Sequence, residues 1–121
     1  MKFKCLMVIA SLFITACDDD STTIEVELVD VYIYKGDTQC ADDGLTLSET
    51  TTYLTDVSIA VSLSQCGFIT GLDHPTVCGA GTNNIYIHTI PSTDLFKAEN
   101  LGFAALSSLD SELGYEIVEC L

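Results

Sequence analysis

Ile24-Glu25-Val26-Glu27-Leu28-Val29-Asp30-Val31-Tyr32-Ile33-Tyr34 is the stretch from which the fold is read. β-Branched and aromatic residues fill it, and such side chains suit a pleated, partly buried surface, so the segment predicts a strand. Its alternation changes phase midway. Ile24, Val26 and Leu28 share one face, then Val29, Val31 and Ile33 take the other. A slip of this kind predicts either a bulge or a strand covered on both faces.

Working outward, Lys35-Gly36-Asp37 and Ala41-Asp42-Asp43-Gly44 carry turn chemistry and place Cys40 in a loop. Ser48 predicts the cap of a short helix running to about Asp56, with Glu49 in its first turn, although four threonines weaken it. Val57, Ile59, Val61 and Leu63 alternate with small and polar residues, which predicts a half-buried strand over 57–64. Residues 67–84 read as a loop rich in glycine. Ile85 to Ile90 reads as a strand, and Pro91-Ser92 opens a second helix with an apolar stripe of Leu95, Ala98 and Leu101. Gly102 is placed to end that helix in a left-handed cap, Phe103–Leu106 reads as a short strand, and Tyr115–Cys120 reads as the last one. A shift of 44 residues superposes Ser48 on Ser92, Asp56 on Asn100, Ser58 on Gly102, Ile59 on Phe103 and Ala60-Val61 on Ala104-Ala105, which suggests a repeated helix, turn and strand. The expected fold is α+β. It is a single small domain with a mixed sheet of four or five strands, two short helices on one face and two β-α-β units.

The start of the chain has a different character. Met1-Lys2-Phe3-Lys4 is basic, Cys5 to Phe13 is apolar, and Ile14-Thr15-Ala16-Cys17 precedes Asp18-Asp19-Asp20. This is the layout of a secretory signal, and the apolar run is short of the roughly 20 residues a spanning helix needs. The tetrad at 14–17 resembles the lipobox of bacterial lipoproteins. That resemblance implies that residues 1–16 are a signal peptide, that the Cys17 thiol carries diacylglycerol, and that 17–23 is a lipidated tether to a domain at 24–121. Asp18 directly after the acylated cysteine resembles an inner-membrane retention signal. It places the protein on the periplasmic face of the inner membrane rather than on the outer membrane.

Removing the signal takes Lys2 and Lys4 with it. The remainder has two lysines, no arginine and all eighteen acids, a formal charge of −16. Such a surface repels phosphate backbones, which speaks against nucleic acid, and it attracts basic proteins, cationic peptides or divalent cations. Cys40, Cys66, Cys78 and Cys120 are left after Cys17 is acylated, and an even number in a small exported domain reads as two disulfides. A zinc site is disfavoured because no C-x-x-C pair occurs. Cys66–Cys78 and Cys40–Cys120 are the favoured pairs, each contributing roughly 3–5 kcal/mol by restricting the unfolded chain.

Chemistry-bearing motifs are sparse. His74 stands beside Asp73 in the long loop, and His88 lies on a strand face with Tyr86 and Ile90. No G-x-S-x-G elbow or H-E-x-x-H is present. The G-x-G of Cys78–Asn84 lacks the following helix and lysine of a phosphate loop. Around Gly44 only Asp43 fits a calcium loop. No catalytic residue, metal ligand or cofactor is therefore assigned. The expected function is a small acidic lipoprotein of the cell envelope, anchored through Cys17, that binds another protein without catalysis. Lysozyme-inhibitor lipoproteins are similar in size and cysteine use, though their motifs are not found here. The alternatives are a calcium-linked structural surface protein and, last, a small periplasmic hydrolase using a histidine with acids.

Overall fold

The computed structural model describes residues 25–120, so Cys17 and the lipobox lie outside the described residues. Strand β1 spans Leu28–Tyr34, helix α1 Leu47–Thr55, β2 Leu63–Thr70, β3 Asn84–Pro91, α2 Leu95–Glu99, β4 Ala104–Ala105 and β5 Gly114–Val118. Single 3-10 turns precede α2 at Ser92–Asp94 and follow β4 at Leu106–Ser108. The domain is α+β, with five strands in the order β4-β1-β3-β2-β5. Every neighbouring pair is antiparallel, so the sheet is not mixed. The β-α-β expectation explains the difference. β1 and β2 run the same way, as do β3 and β4, but another strand lies between the members of each pair, which is the split β-α-β arrangement.

The strand register sorts the side chains into two layers. Val29, Val31 and Ile33 oppose Ile90, His88 and Tyr86. That face packs Val31 and Ile90 under Leu54 of α1 and Ala98 of α2, with Ile59 and Phe103 completing the cluster. On the other face Ile85 and Ile87 meet Ile69, and Leu106, Leu109 and Leu113 of the β4–β5 connection cover them. The phase change in the opening stretch falls where the sheet begins: Val29, Val31 and Ile33 enter the core, while Leu28 before them stays exposed. β1 begins only at Leu28, and Val26 remains exposed.

Thr46, not Ser48, caps α1. Its hydroxyl accepts from the Glu49 backbone N–H while the Glu49 carboxylate accepts from the Thr46 N–H, a reciprocal capping box. The 44-residue repeat is visible in the backbone. Ile59 N–H donates to Leu54 C=O, and Phe103 N–H donates to Ala98 C=O. Ser58 and Gly102 both take positive φ, 66° and 104°. Both pairs bury one helix residue and one residue beyond the turn in the same core.

The expected strand at 57–64 is a correction. Val57, Ile59 and Val61 do pack into the core, so their alternation is real, but the first sheet hydrogen bond comes from Ser62 to Thr89. β2 instead runs into what reads as loop, because Gly67 masks it. A Cβ there would lie 2.9 Å from Ile87 Cδ1 and 3.2 Å from Ile85 Cγ1, so glycine lets two isoleucines lean across the strand. This shift also re-pairs the cysteines. Cys66 sits in β2 opposite Val118, and it bonds Cys120, two residues further on. Cys78 faces Cys40 across two loops. The favoured pairing is replaced by Cys40–Cys78 and Cys66–Cys120, with Cα separations of 5.1 and 5.3 Å.

Peptide mapping without reduction is expected to recover these two pairs. A Cys66→Ala/Cys120→Ala variant is expected to lose about 2–5 kcal/mol of unfolding free energy, read from denaturant curves. Gly67→Ala is expected to cost about 1–3 kcal/mol, because the new methyl group cannot fit without moving Ile85 and Ile87.

Candidate functional site

His88 is the one histidine drawn into the core. It is fully buried on β3, edge-on to Phe103 with ring centroids 5.8 Å apart. Ser64 Oγ lies 2.7 Å from its Nδ1, and Thr50 Oγ1 lies 2.8 Å from its Nε2. Proton counting orders the chain. The Thr50 hydroxyl donates its single hydrogen to Leu47 C=O at 3.0 Å, so it accepts from His88 Nε2–H. Nδ1 then accepts from the Ser64 hydroxyl. Burial alone pushes the imidazole down from its usual value to about 4, so the ring is neutral at physiological pH.

A serine hydroxyl aimed at a histidine has the outline of a nucleophile and base. The third member is a threonine acceptor rather than a carboxylate, and no part of the ring reaches solvent. A substrate cannot meet it. The arrangement tethers α1 to β2 and β3, and each polar atom in it is satisfied, which is what burial demands.

His74 stands elsewhere. The β1–α1 loop and the β2–β3 loop are zipped face to face by the Cys40–Cys78 disulfide, by an isolated bridge between Thr38 and Gly81, and by backbone bonds between Gln39 and Ala80 and between Gly79 and Gln39. Between the loops and the end of the sheet lies a cavity of about 410 Å³. Its walls include Phe68, Leu72, Asp73, His74, Thr82 and Asn83. That volume falls within the range of small-ligand sites. The Gly79 and Ala80 amides bond to the carbonyls of Gln39 and Val77, so the G-x-G turn holds the loops together and does not present these groups to an anion.

The same loops order the acids. Asp37 accepts from the Thr82 hydroxyl and, at 3.0 Å, from Asn84 Nδ2. Asp43 accepts from both the N–H and the hydroxyl of Thr38, each at 2.8 Å, and these donors hold its carboxyl below the usual range. Among the described residues no three His, Cys, Asp or Glu side chains gather as a metal-binding group. No helix among them is long and apolar enough to cross a membrane.

Of the residues singled out in the sequence, the four cysteines are joined in pairs, Cys40 with Cys78 between the two loops and Cys66 with Cys120 at the β2–β5 side of the sheet. Asp73 and His74 reach the cavity wall and His88 does not. Sequence reading missed Asn83. It is 5% exposed, it lines the cavity, and its Oδ1 is buried without a partner. Its only signal was a second asparagine at the end of a glycine-rich loop.

His88 links stability to pH. Its folded value near 4 lies below the unfolded value of about 6.5, so the unfolded chain binds the extra proton between them. Stability from this group is complete above about pH 6.5 and declines as pH falls towards 4, by on the order of 3 kcal/mol. Urea unfolding at several pH values is expected to show this decline in the native protein and not in His88→Gln. Comparison with protein-family models, with curated proteins and with solved structures finds no match for this chain.

Proposed function

We propose that this protein is a small acidic lipoprotein of the bacterial envelope, held at the membrane by acylated Cys17, that binds a basic protein or peptide without catalysis. The observation that carries the reading is the unneutralised charge of the domain. Among the described acids only Asp37 and Asp94 are half-buried, and the rest are exposed. Two lysines oppose them. Lys97 is engaged with Asp94 at 3.8 Å and with Val57 C=O at 3.3 Å, and Lys35 lies in the field of Asp43. A surface of one sign steers partners of the other and raises association rates above the unsteered value.

Two further features support the compartment. Two disulfides in so small a domain suit an oxidising environment, and the lipobox resemblance at 14–17 supplies the address. Asp18 favours the periplasmic face of the inner membrane. Against a hydrolytic reading stands the condition of the two histidines. His88 is sealed in the core, and the Thr82 hydroxyl, on the same cavity wall as His74, is already given to Asp37.

Intact mass of the protein extracted from its host is expected to equal Cys17–Leu121 plus acyl groups, less four hydrogens. A mass without acyl groups removes the anchor from the proposal. Stopped-flow or surface binding to a basic protein such as a lysozyme is expected to slow more than about tenfold between about 0.01 and 0.15 M salt, as the screening length contracts. Absence of binding at the lower salt ends the proposal of a basic partner.

A further inference from the structure

The sheet ends differently at its two edges. On one side β4 is two residues long and a 3-10 turn follows it at once, which leaves little edge to pair with. On the other side β5 runs for five residues, and among the described residues its only neighbouring strand is β2. Its register against β2 is unbroken from Gly114 to Val118, and no residue in it takes a positive φ. Natural edge strands are usually blunted by a lysine, a proline or a bulge, because a free row of N–H and C=O groups recruits further strands. β5 carries none of these devices, and the Cys66–Cys120 disulfide fastens the chain just beyond it.

The side chains of this edge are sorted by face. Tyr115 and Ile117 pair in register with Ile69 and Gly67, on the face where Ile69 meets Ile85 and Ile87. Glu116 pairs with Phe68 and takes the opposite face together with Val118. Tyr115, Ile117 and Val118 are 45%, 49% and 39% exposed, so each keeps apolar surface that a further strand would cover. Glu116 is the single charge on β5 and stands exposed at its centre. Asp110, Glu112 and Glu119 flank the strand, also exposed, and no lysine, arginine or histidine occurs from 98 to 121. Two copies of this chain pairing antiparallel about the centre of β5 would set Glu116 against Glu116. Charge therefore disfavours a second copy and favours a cationic strand. We propose that the free edge of β5 is a docking site for an extended segment of the basic partner. That segment adds a strand to the sheet and reads apolar, Lys or Arg, apolar opposite Tyr115, Glu116 and Ile117. Main-chain hydrogen bonds hold the added strand, and the alternation of side chains selects it. This inference rests on the reading of the protein as a binder of basic partners and names the surface and the partner conformation.

The test is an ¹H–¹⁵N correlation titration of the full-length, disulfide-bonded protein with three end-capped peptides. These are Val-Lys-Val-Lys-Val, its acidic counterpart Val-Glu-Val-Glu-Val, and Val-Lys-Pro-Lys-Val, which keeps the charge but breaks the ladder of donors. The first is expected to shift the amides of Tyr115, Glu116, Ile117 and Val118 and to slow their hydrogen exchange. The acidic peptide is expected to leave them in place, and the proline peptide to shift them several-fold less. Glu116→Lys is expected to weaken the response well beyond Glu99→Lys, an equal change of charge at an exposed site on α2. Equal responses to the valine and proline peptides, or equal losses from the two variants, overturn strand addition. No response of β5 at millimolar peptide also overturns it, even where salt-sensitive binding of an intact basic protein persists and the broader proposal stands. Shifts of the β5 amides on raising protein concentration alone, with dimers in sedimentation, assign the edge to a second copy and overturn the proposal too. A β5 response to the basic peptide together with no binding of any intact basic protein at low salt supports the docking edge and ends the reading of a protein partner.

Discussion

Strand β3 places large apolar side chains on both of its faces, and neither set can be left in water without losing roughly 1.5–3 kcal/mol per side chain. Ile85 and Ile87 point one way and Tyr86, His88 and Ile90 the other, all of them buried. The chain meets this demand with two unlike covers. Two helical repeats close one side, and the irregular run from Leu106 to Leu113 closes the other. The central position of β3 follows, since only a strand flanked by partners on both edges is shielded so fully.

Within the helical cover sits a polar line that an apolar core would not need. Ser64, His88 and Thr50 form a directed sequence of hydrogen bonds ending at the Leu47 carbonyl, inside the first turn of α1. Each bond contributes modestly, but an imperfect register would strand several buried polar atoms at once. The line therefore acts as a key for the position of α1 over the sheet. The short helix carries four threonines, and one of them is the residue the histidine requires.

Much of this architecture was legible in the sequence because packing leaves periodic traces. Strand β1 and the second helix with its glycine cap followed from spacing. The 44-residue echo was genuine at the turns, where Ser58 and Gly102 adopt the same hand and release Ile59 and Phe103 into the core. What escaped was long-range. β2 hid behind Gly67, whose missing side chain reads as a turn in sequence and serves as clearance for Ile87 in space. A strand placed at 57–64 instead of Leu63–Thr70 leaves Cys66 outside the sheet and hides its partner, since the choice between cysteines depends on which strand lies beside which. The cavity was less legible still. Asp73 and His74 stood out as reactive types, but Asn83 matters only because its nitrogen is occupied and its oxygen is not.

The placement of the two disulfides divides the molecule into parts under separate control. Cys66–Cys120 fastens the outer strand to the sheet, whereas Cys40–Cys78 fastens only the two loops that wall the cavity. Drift or grafting in residues 36–44 and 71–82 can therefore reshape the cavity without reopening the question of how the sheet assembles. The protein is in this sense a frame with an exchangeable mouthpiece, and sequences sharing the frame need share little of the mouth.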